Sequence, residues 1–167
     1  MAEKRELEKK KISYQGLFKT KELYGTVQDW AKENGYDFAQ EKHSEIIGET
    51  GKEIKMPLEL EKKASDYVKF LLKCGIELTN VEEVLVKKGE KSQKLNKGDV
   101  AVNLKAVIET DYDDKWHKKP LWMFLKGFHD KFLKADELKE FESQLKKDLG
   151  SLTDEVKAHL NLFRYRA

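Results

Sequence analysis

The sequence predicts one α+β domain, in which a curved antiparallel sheet of about six strands packs against a long C-terminal helical segment. Two changes in apolar spacing predict this class. Apolar residues follow a helical repeat in 21–34, alternate at every second position over much of 36–110, and return to a helical repeat in the last third. With 167 residues, the chain is long enough to bury a core without disulfides or metal.

The first element is a strand that follows a charged N-terminal tail. Residues 1–10 form the tail, which lacks the apolar run of a secretory signal. From residue 11 onwards every second position shares one face, as in a strand: Ile12, Tyr14, Gly16 and Phe18. The single domain therefore covers residues 11–167.

One helix follows this strand. Its apolar positions recur at helical spacing: Leu23, Val27, Trp30 and Ala31. Thr20 is the expected N-cap, and Gly35 is the residue expected to end the helix, which spans 21–34.

An antiparallel meander of about five strands is expected next. Glu49, Thr50 and Gly51 predict a hairpin turn, and Pro57 places the following strand at a sheet edge or at a bulge. The alternation in 68–78 continues past a glycine, which predicts one bent strand, and 81–88 predicts a separate short strand. The tripeptide Asn96, Lys97 and Gly98 predicts a turn before the last strand, where 100–108 alternates most regularly.

The last third carries two apolar stripes on different helix faces. The first stripe consists of Leu121, Phe124, Leu125, Phe128 and Phe132, and the second of Leu138, Leu145, Leu149, Val156, Leu160 and Phe163. One straight helix cannot bury both faces against a flat partner, so we expect a break near 133–136, with Asp136 capping the second piece. The first piece should lie on the sheet, and the second should pack elsewhere or reach a partner. Gly150 and Ser151 weaken the second piece, but its apolar spacing continues through them.

This order of strand, helix, meander and long terminal helix resembles the helix-grip START or SRPBCC superfamily. The resemblance covers roughly residues 11–165 and rests on the order and length of the elements. It departs from the usual pattern in having one helix, 21–34, where the superfamily has two after the first strand. The resemblance implies an apolar ligand held in a cavity between sheet and helix.

If the resemblance holds, inward residues of both layers should line that cavity. The candidate ligand-binding residues are Met56, Phe70, Val102 and Leu104 from the strands and Leu125, Phe128 and Phe132 from the helix. The alternative is a filled core, because aromatic stripes at helical spacing usually pack there. On this basis the expected function is a non-enzymatic binding protein for an apolar small molecule or lipid-like ligand.

Two other functions stay open. Residues 118–134 predict a basic amphipathic helix, with Trp122 and Met123 off its main stripe, where they could contact a membrane surface or a partner. The charged C-terminal helix could instead serve as a protein-interaction or scaffolding module, or mediate self-association, if its apolar stripe is exposed.

The sequence gives no support for an enzyme, a cofactor or a metal site. No GxSxG, Walker A or GxGxxG segment occurs, and no histidine pair has metal-ligand spacing. Cys74, the single cysteine, stands in an alternating apolar run, which favours a buried structural thiol over a nucleophile and excludes an internal disulfide. No catalytic residue is therefore assigned.

Charge and hydropathy argue against two further classes, nucleic-acid-binding proteins and proteins with a transmembrane helix. The 33 basic and 31 acidic residues give a net charge of +2, and arginine is scarce, so nucleic-acid binding is not expected. No apolar run approaches the roughly 18 residues that a transmembrane helix needs. The sequence predicts a cytoplasmic protein.

Overall fold

The computed structural model of the protein describes residues 3–49, 51–111 and 135–166. Its elements confirm the predicted α+β class: β1 (Glu3–Phe18), α1 (Thr20–Glu33), β2 (Asp37–Glu41), β3 (Ser44–Gly48), β4 (Gly51–Lys63), β5 (Val68–Lys88), β6 (Lys91–Thr110) and α2 (Ala135–Arg166). The six strands form one antiparallel, non-closed sheet in the order β1-β6-β5-β4-β2, and β3 pairs with β4 beside β2.

Strand β1 is longer than the sequence predicts. It begins at Glu3, which pairs with Thr110 of β6, so residues 3–10 belong to the sheet although they were expected to form a tail. Most side chains of this stretch are charged and at least partly exposed, so the apolar alternation of a half-buried strand is missing there. Pairing is instead supported across the strands, where Glu6 forms an ion pair with Lys105 at 3.3 Å.

Helix α1 buries the predicted stripe of Leu23, Val27, Trp30 and Ala31. Its N-cap is Lys19 rather than the predicted Thr20. The backbone N–H and the hydroxyl of Thr20 both donate to Oδ1 of Asn96 on β6, at 3.3 and 3.2 Å. A distant strand residue therefore satisfies a donor that a local cap satisfies in other helices. The predicted Gly35 follows the helix with a φ of +77°, a conformation that favours glycine.

Strand β4 lies inside the sheet, and its proline sits at a gap in the neighbouring strands. Pro57 pairs with Gly75 of β5 on one side. On the other side its carbonyl accepts a hydrogen bond of 3.4 Å from the N–H of Lys42, which lies between β2 and β3. Because N and C=O of one strand residue point to the same side, the missing N–H of Pro57 falls at this interruption. The predicted hairpin before β4 is confirmed, since Gly48 pairs with Gly51.

Strands β5 and β6 form one long hairpin, and its turn lies elsewhere than predicted. The two strands expected over 68–78 and 81–88 are one strand, with a register shift between Thr79 and Glu82. The chain turns at Gly89, which has a φ of +67°, whereas the predicted turn at Asn96, Lys97 and Gly98 is part of β6. A Cβ on Gly98 would lie 2.8 Å from the carbonyl oxygen of Thr79. This glycine therefore permits close approach at the bulge and does not mark a turn.

Helix α2 packs on the sheet, which corrects the expectation that residues after 136 pack elsewhere. It contacts β1, β6 and α1, and it runs without interruption through Gly150 and Ser151. Its buried side chains join the main apolar cluster: Leu145, Leu149, Leu152, Val156 and Leu160. The long apolar stripe found in the sequence is therefore the inner side of a core helix. The predicted break near 133–136 falls at the start of α2, and its residues before Ala135 lie outside the described part of the chain.

Candidate functional site at the sheet–helix interface

The four strand residues predicted to line a cavity share one face of the sheet. Met56 pairs with Ile76, Ile76 with Val102, and Val102 with Ile12, so one apolar row crosses four strands. Residues directly opposite each other in neighbouring strands point to the same face, as do residues two apart along a strand. Leu104 and Phe70 therefore point to this inner face as well.

These side chains are closed off from solvent. Met56 is 4% exposed, Phe70 and Leu104 are 1% exposed, and Val102 has no exposed surface. They belong to the same buried cluster as α1 and α2. The four residues therefore lie on the inner face of the sheet, where they are packed into the core. The other predicted site residues, Leu125, Phe128 and Phe132 for the ligand and Trp122 and Met123 for a membrane or partner, lie outside the described residues.

The residues that cover this face from α2 were found in the sequence as a stripe but were not assigned to the site. Leu149, Val156 and Leu160 are 0–1% exposed and lie in the same cluster as Val102. Helical spacing identifies such residues, but the apolar pattern does not specify which surface the stripe packs against.

Polar contacts fix α2 beside α1. The indole Nε1 of Trp30 donates to Oγ of Ser151 at 3.0 Å, and the hydroxyl of Tyr36 donates to Oδ2 of Asp148 at 2.7 Å. Burial, together with the hydrogen bond to the Asp148 carboxylate and its charge, raises the pKa of Tyr36 above its ordinary range. The hydroxyl therefore stays protonated and keeps donating at neutral pH.

A further contact holds the end of α1 on β4. Lys62 of β4 donates from Nζ to the carbonyl oxygen of Asn34 at 3.0 Å, and its Nζ lies 5.5 Å from the centre of the Tyr36 ring. The same ring packs against Trp30 with a centroid distance of 5.3 Å. These contacts attach α1 and α2 to each other and to the sheet, so the interface between sheet and helices is held in one arrangement.

A surface groove opens where α2 meets the edge of the sheet. Its volume is about 410 Å³. Five consecutive residues of β1 and one side of α2 line it: Lys11, Ile12, Ser13, Tyr14, Gln15, Lys157, Leu160 and Asn161. Ile12 and Leu160 are apolar core residues that reach this groove from the two layers. It is therefore a point where the inner face of the sheet comes close to solvent.

Two further titratable groups of the interface have a pKa that burial shifts. Cys74 of β5 pairs with Leu104 of β6, and burial raises the pKa of its thiol to about 12. A thiol with this pKa is protonated at neutral pH and is a poor nucleophile. Burial lowers the pKa of His159 on α2, while the charge of Glu22 on α1 opposes this shift. Among the described residues, no group of three or more His, Cys, Asp or Glu side chains is placed to hold a metal ion.

Comparison with known proteins gives no match: no protein-family model, no curated protein and no solved structure is similar to this chain. Neither of the two described helices has an apolar stretch that could cross a bilayer.

Proposed function

We propose that the protein is a non-enzymatic binding protein that holds an apolar small molecule or lipid-like ligand between the sheet and the C-terminal helix. The observation that carries the proposal is the continuous apolar inner face of an open sheet, covered by one long helix. Met56, Ile76 and Val102 form the middle of this face, and Leu149 and Val156 cover it from α2.

The route into this layer is the groove between β1 and α2. Ile12 is 5% exposed and Leu160 is 1% exposed, so each has most of its surface in the core while lining the groove. An apolar chain entering between these two side chains would meet Val102, the cross-strand partner of Ile12. Lys11 and Lys157 flank the opening and suit the acidic head of a fatty acid.

The competing function, a scaffold that uses the apolar stripe of α2, lacks the exposed surface it needs. Leu145, Leu149 and Val156 have no exposed surface, and Leu160 is 1% exposed. Because the stripe is buried against the chain's own sheet, another chain could reach it only after α2 leaves the core.

The test uses a fluorescent fatty acid, 11-dansylaminoundecanoate, whose emission rises on entering an apolar site. We expect saturable binding to the full chain, and we expect Ile12→Trp to weaken it by filling the space between β1 and α2. Ser92→Trp is the matched control, because Ser92 is an exposed strand residue of β6 that does not line the groove. Circular dichroism of both variants checks that each is folded.

Native mass spectrometry of protein purified without organic solvent gives an independent readout that needs no variant. A retained apolar molecule supports the proposal. No saturable binding of the dansyl probe together with no retained ligand contradicts it, as does equal weakening by Ile12→Trp and Ser92→Trp.

A further inference from the structure

On the side away from β6, strand β1 has an edge that no described strand covers. Among the described residues β1 pairs with no strand other than β6, which places it at one end of the sheet order. Alternate residues of an edge strand direct N–H and C=O groups to the open side, where another extended chain can pair with them. The strand is 16 residues long and contains no proline. Its register shift, between Glu6 and Glu8, lies before the groove, so the pairing is regular from Glu8 to Phe18.

The edge forms one wall of a groove. The groove of about 410 Å³ is lined by five consecutive β1 residues, and α2 forms its other wall through Lys157, Leu160 and Asn161. Five strand residues span about 17 Å at the usual rise. A groove that follows consecutive residues of an edge strand matches the path of a peptide added as a further strand.

The charge of this groove is of one sign. None of the described residues that line it is acidic, whereas Lys11 and Lys157 stand on its two walls. Neither lysine forms an ion pair with another described residue. Lys10 precedes the groove on β1, whereas Lys9 forms an ion pair with Glu6 at 3.4 Å.

We propose that β1 and α2 bind an extended acidic peptide segment of a partner protein by strand addition to the open edge of β1. The peptide backbone pairs with β1. On the outer face of the sheet an acidic side chain contacts Lys11, and on the side of α2 another acidic side chain contacts Lys157 while an apolar side chain packs on Leu160. This docking surface goes beyond the proposed apolar ligand, because it uses the backbone edge of β1 and does not require entry into the core.

The test measures fluorescence anisotropy at low salt of a fluorescein-labelled nonapeptide that repeats valine, glutamate, glutamate. This repeat places valine and glutamate on both faces of an added strand. We expect saturable binding that is lost for the same peptide with alternate backbone nitrogens methylated, since methylation removes the N–H donors that strand pairing needs. A peptide with lysine in place of glutamate should not bind.

Matched double variants test the lysines. Lys11→Glu with Lys157→Glu should weaken binding about tenfold or more, since both ion pairs become repulsions. Lys91→Glu with Lys94→Glu makes the same charge change on exposed residues of the β5–β6 hairpin and should leave binding unchanged. If the first variant does not fold by circular dichroism, the methylated and lysine peptides still decide the question on the wild-type protein.

Three outcomes overturn the proposal. They are equal binding of the methylated or the lysine peptide, no saturable binding of the acidic peptide, and a dimer in sedimentation velocity that Lys11→Glu with Lys157→Glu disrupts. The last result assigns the edge to a second copy of the chain. The N-methylated peptide tests strand pairing, and the Ile12→Trp variant with the dansyl fatty acid tests entry into the core, so the peptide result and the ligand result can fail independently.

Discussion

Tyr36 and Asp148, 112 residues apart in the chain, are joined by a hydrogen bond of 2.7 Å from the tyrosine hydroxyl to the carboxylate. Tyr36 follows α1 and Asp148 lies in the middle of α2, so this bond connects the two helices that cover the sheet. The tyrosine is buried, whereas the aspartate is partly exposed.

Replacing Tyr36 by phenylalanine should lower the free energy of unfolding by about 1 kcal/mol at neutral pH, because one hydrogen bond to a charged, partly solvated acceptor is lost. Urea unfolding measures this change. Asp154→Asn, at an exposed position of α2, is the control and should have little effect. A Tyr36→Phe variant as stable as the wild type contradicts a stabilising role for the bond.

The same pair predicts a pH dependence. The pKa of Tyr36 is raised in the folded state, so the folded protein retains a proton that the unfolded chain loses above its ordinary value of about 10. The stabilisation is fully present below pH 10 and declines as the pH rises further. The stability difference between wild type and Tyr36→Phe should therefore shrink above pH 10.

Cys74 should resist thiol reagents in the folded protein. It has no exposed surface, and burial raises its pKa to about 12, so both access and thiolate are lacking at pH 8. With 5,5′-dithiobis(2-nitrobenzoate), we expect colour to develop at the rate of unfolding and to appear at once in denaturing urea. Rapid reaction in buffer would contradict this expectation and show that the core around Cys74 and its cross-strand partner Leu104 opens to solvent.

His159 should make the protein less stable in mild acid. Burial lowers its folded pKa, so the unfolded chain binds the proton more readily than the folded one. Stability is full above the ordinary histidine value of about 6.5 and falls as the pH drops through it. Glu22 on α1 faces the imidazole and reduces the effect.

The His159→Gln variant should lose less stability than the wild type between pH 7.5 and 5, as measured by urea midpoints. His43→Gln replaces an exposed histidine between β2 and β3 and should behave as the wild type does. If the wild-type midpoint has the same pH dependence as that of His159→Gln, the lowered pKa of His159 is contradicted.

Two glycine substitutions should act in opposite directions. Gly98→Ala places a Cβ 2.8 Å from the carbonyl oxygen of Thr79, and backbone atoms of the bulge must move, so we expect a loss of about 1–3 kcal/mol. Gly25→Ala lies inside α1 with no atom within 4 Å of the added Cβ, and it should stabilise by up to about 1 kcal/mol. Thermal or urea unfolding of the pair checks both signs, and a neutral Gly98→Ala would remove the case for close approach.

The spacing of apolar residues correctly predicted the elements that bury one face and expose the other. Leu23, Val27 and Trp30 identified α1, and the alternation of 100–108 identified the end of β6, because each exposes one side to solvent and buries the other. The hairpin at Gly51 and the glycine ending α1 were also correct, since both depend on residues near in sequence.

The sequence analysis missed features that depend on residues far away in the sequence. Residues 3–10 form a strand because β6 provides a paired edge, and no apolar alternation marks them. Position 98 requires a glycine because a Cβ there would lie 2.8 Å from the carbonyl oxygen of Thr79, which belongs to another strand. The groove between β1 and α2 depends on which strand ends the sheet and on where α2 lies, and no local pattern contains either fact.

The central claim, that the layer between sheet and α2 accepts an apolar ligand, is tested most directly by methyl NMR of the protein with labelled Ile, Leu and Val side chains and dodecanoate as probe. We predict intermolecular NOEs from the dodecanoate chain to methyls of the interface, namely Ile12, Val102 and Leu160. NOEs confined to the exposed Ile46, Ile47, Leu85 and Leu162, or no NOEs at saturating probe, would contradict the claim.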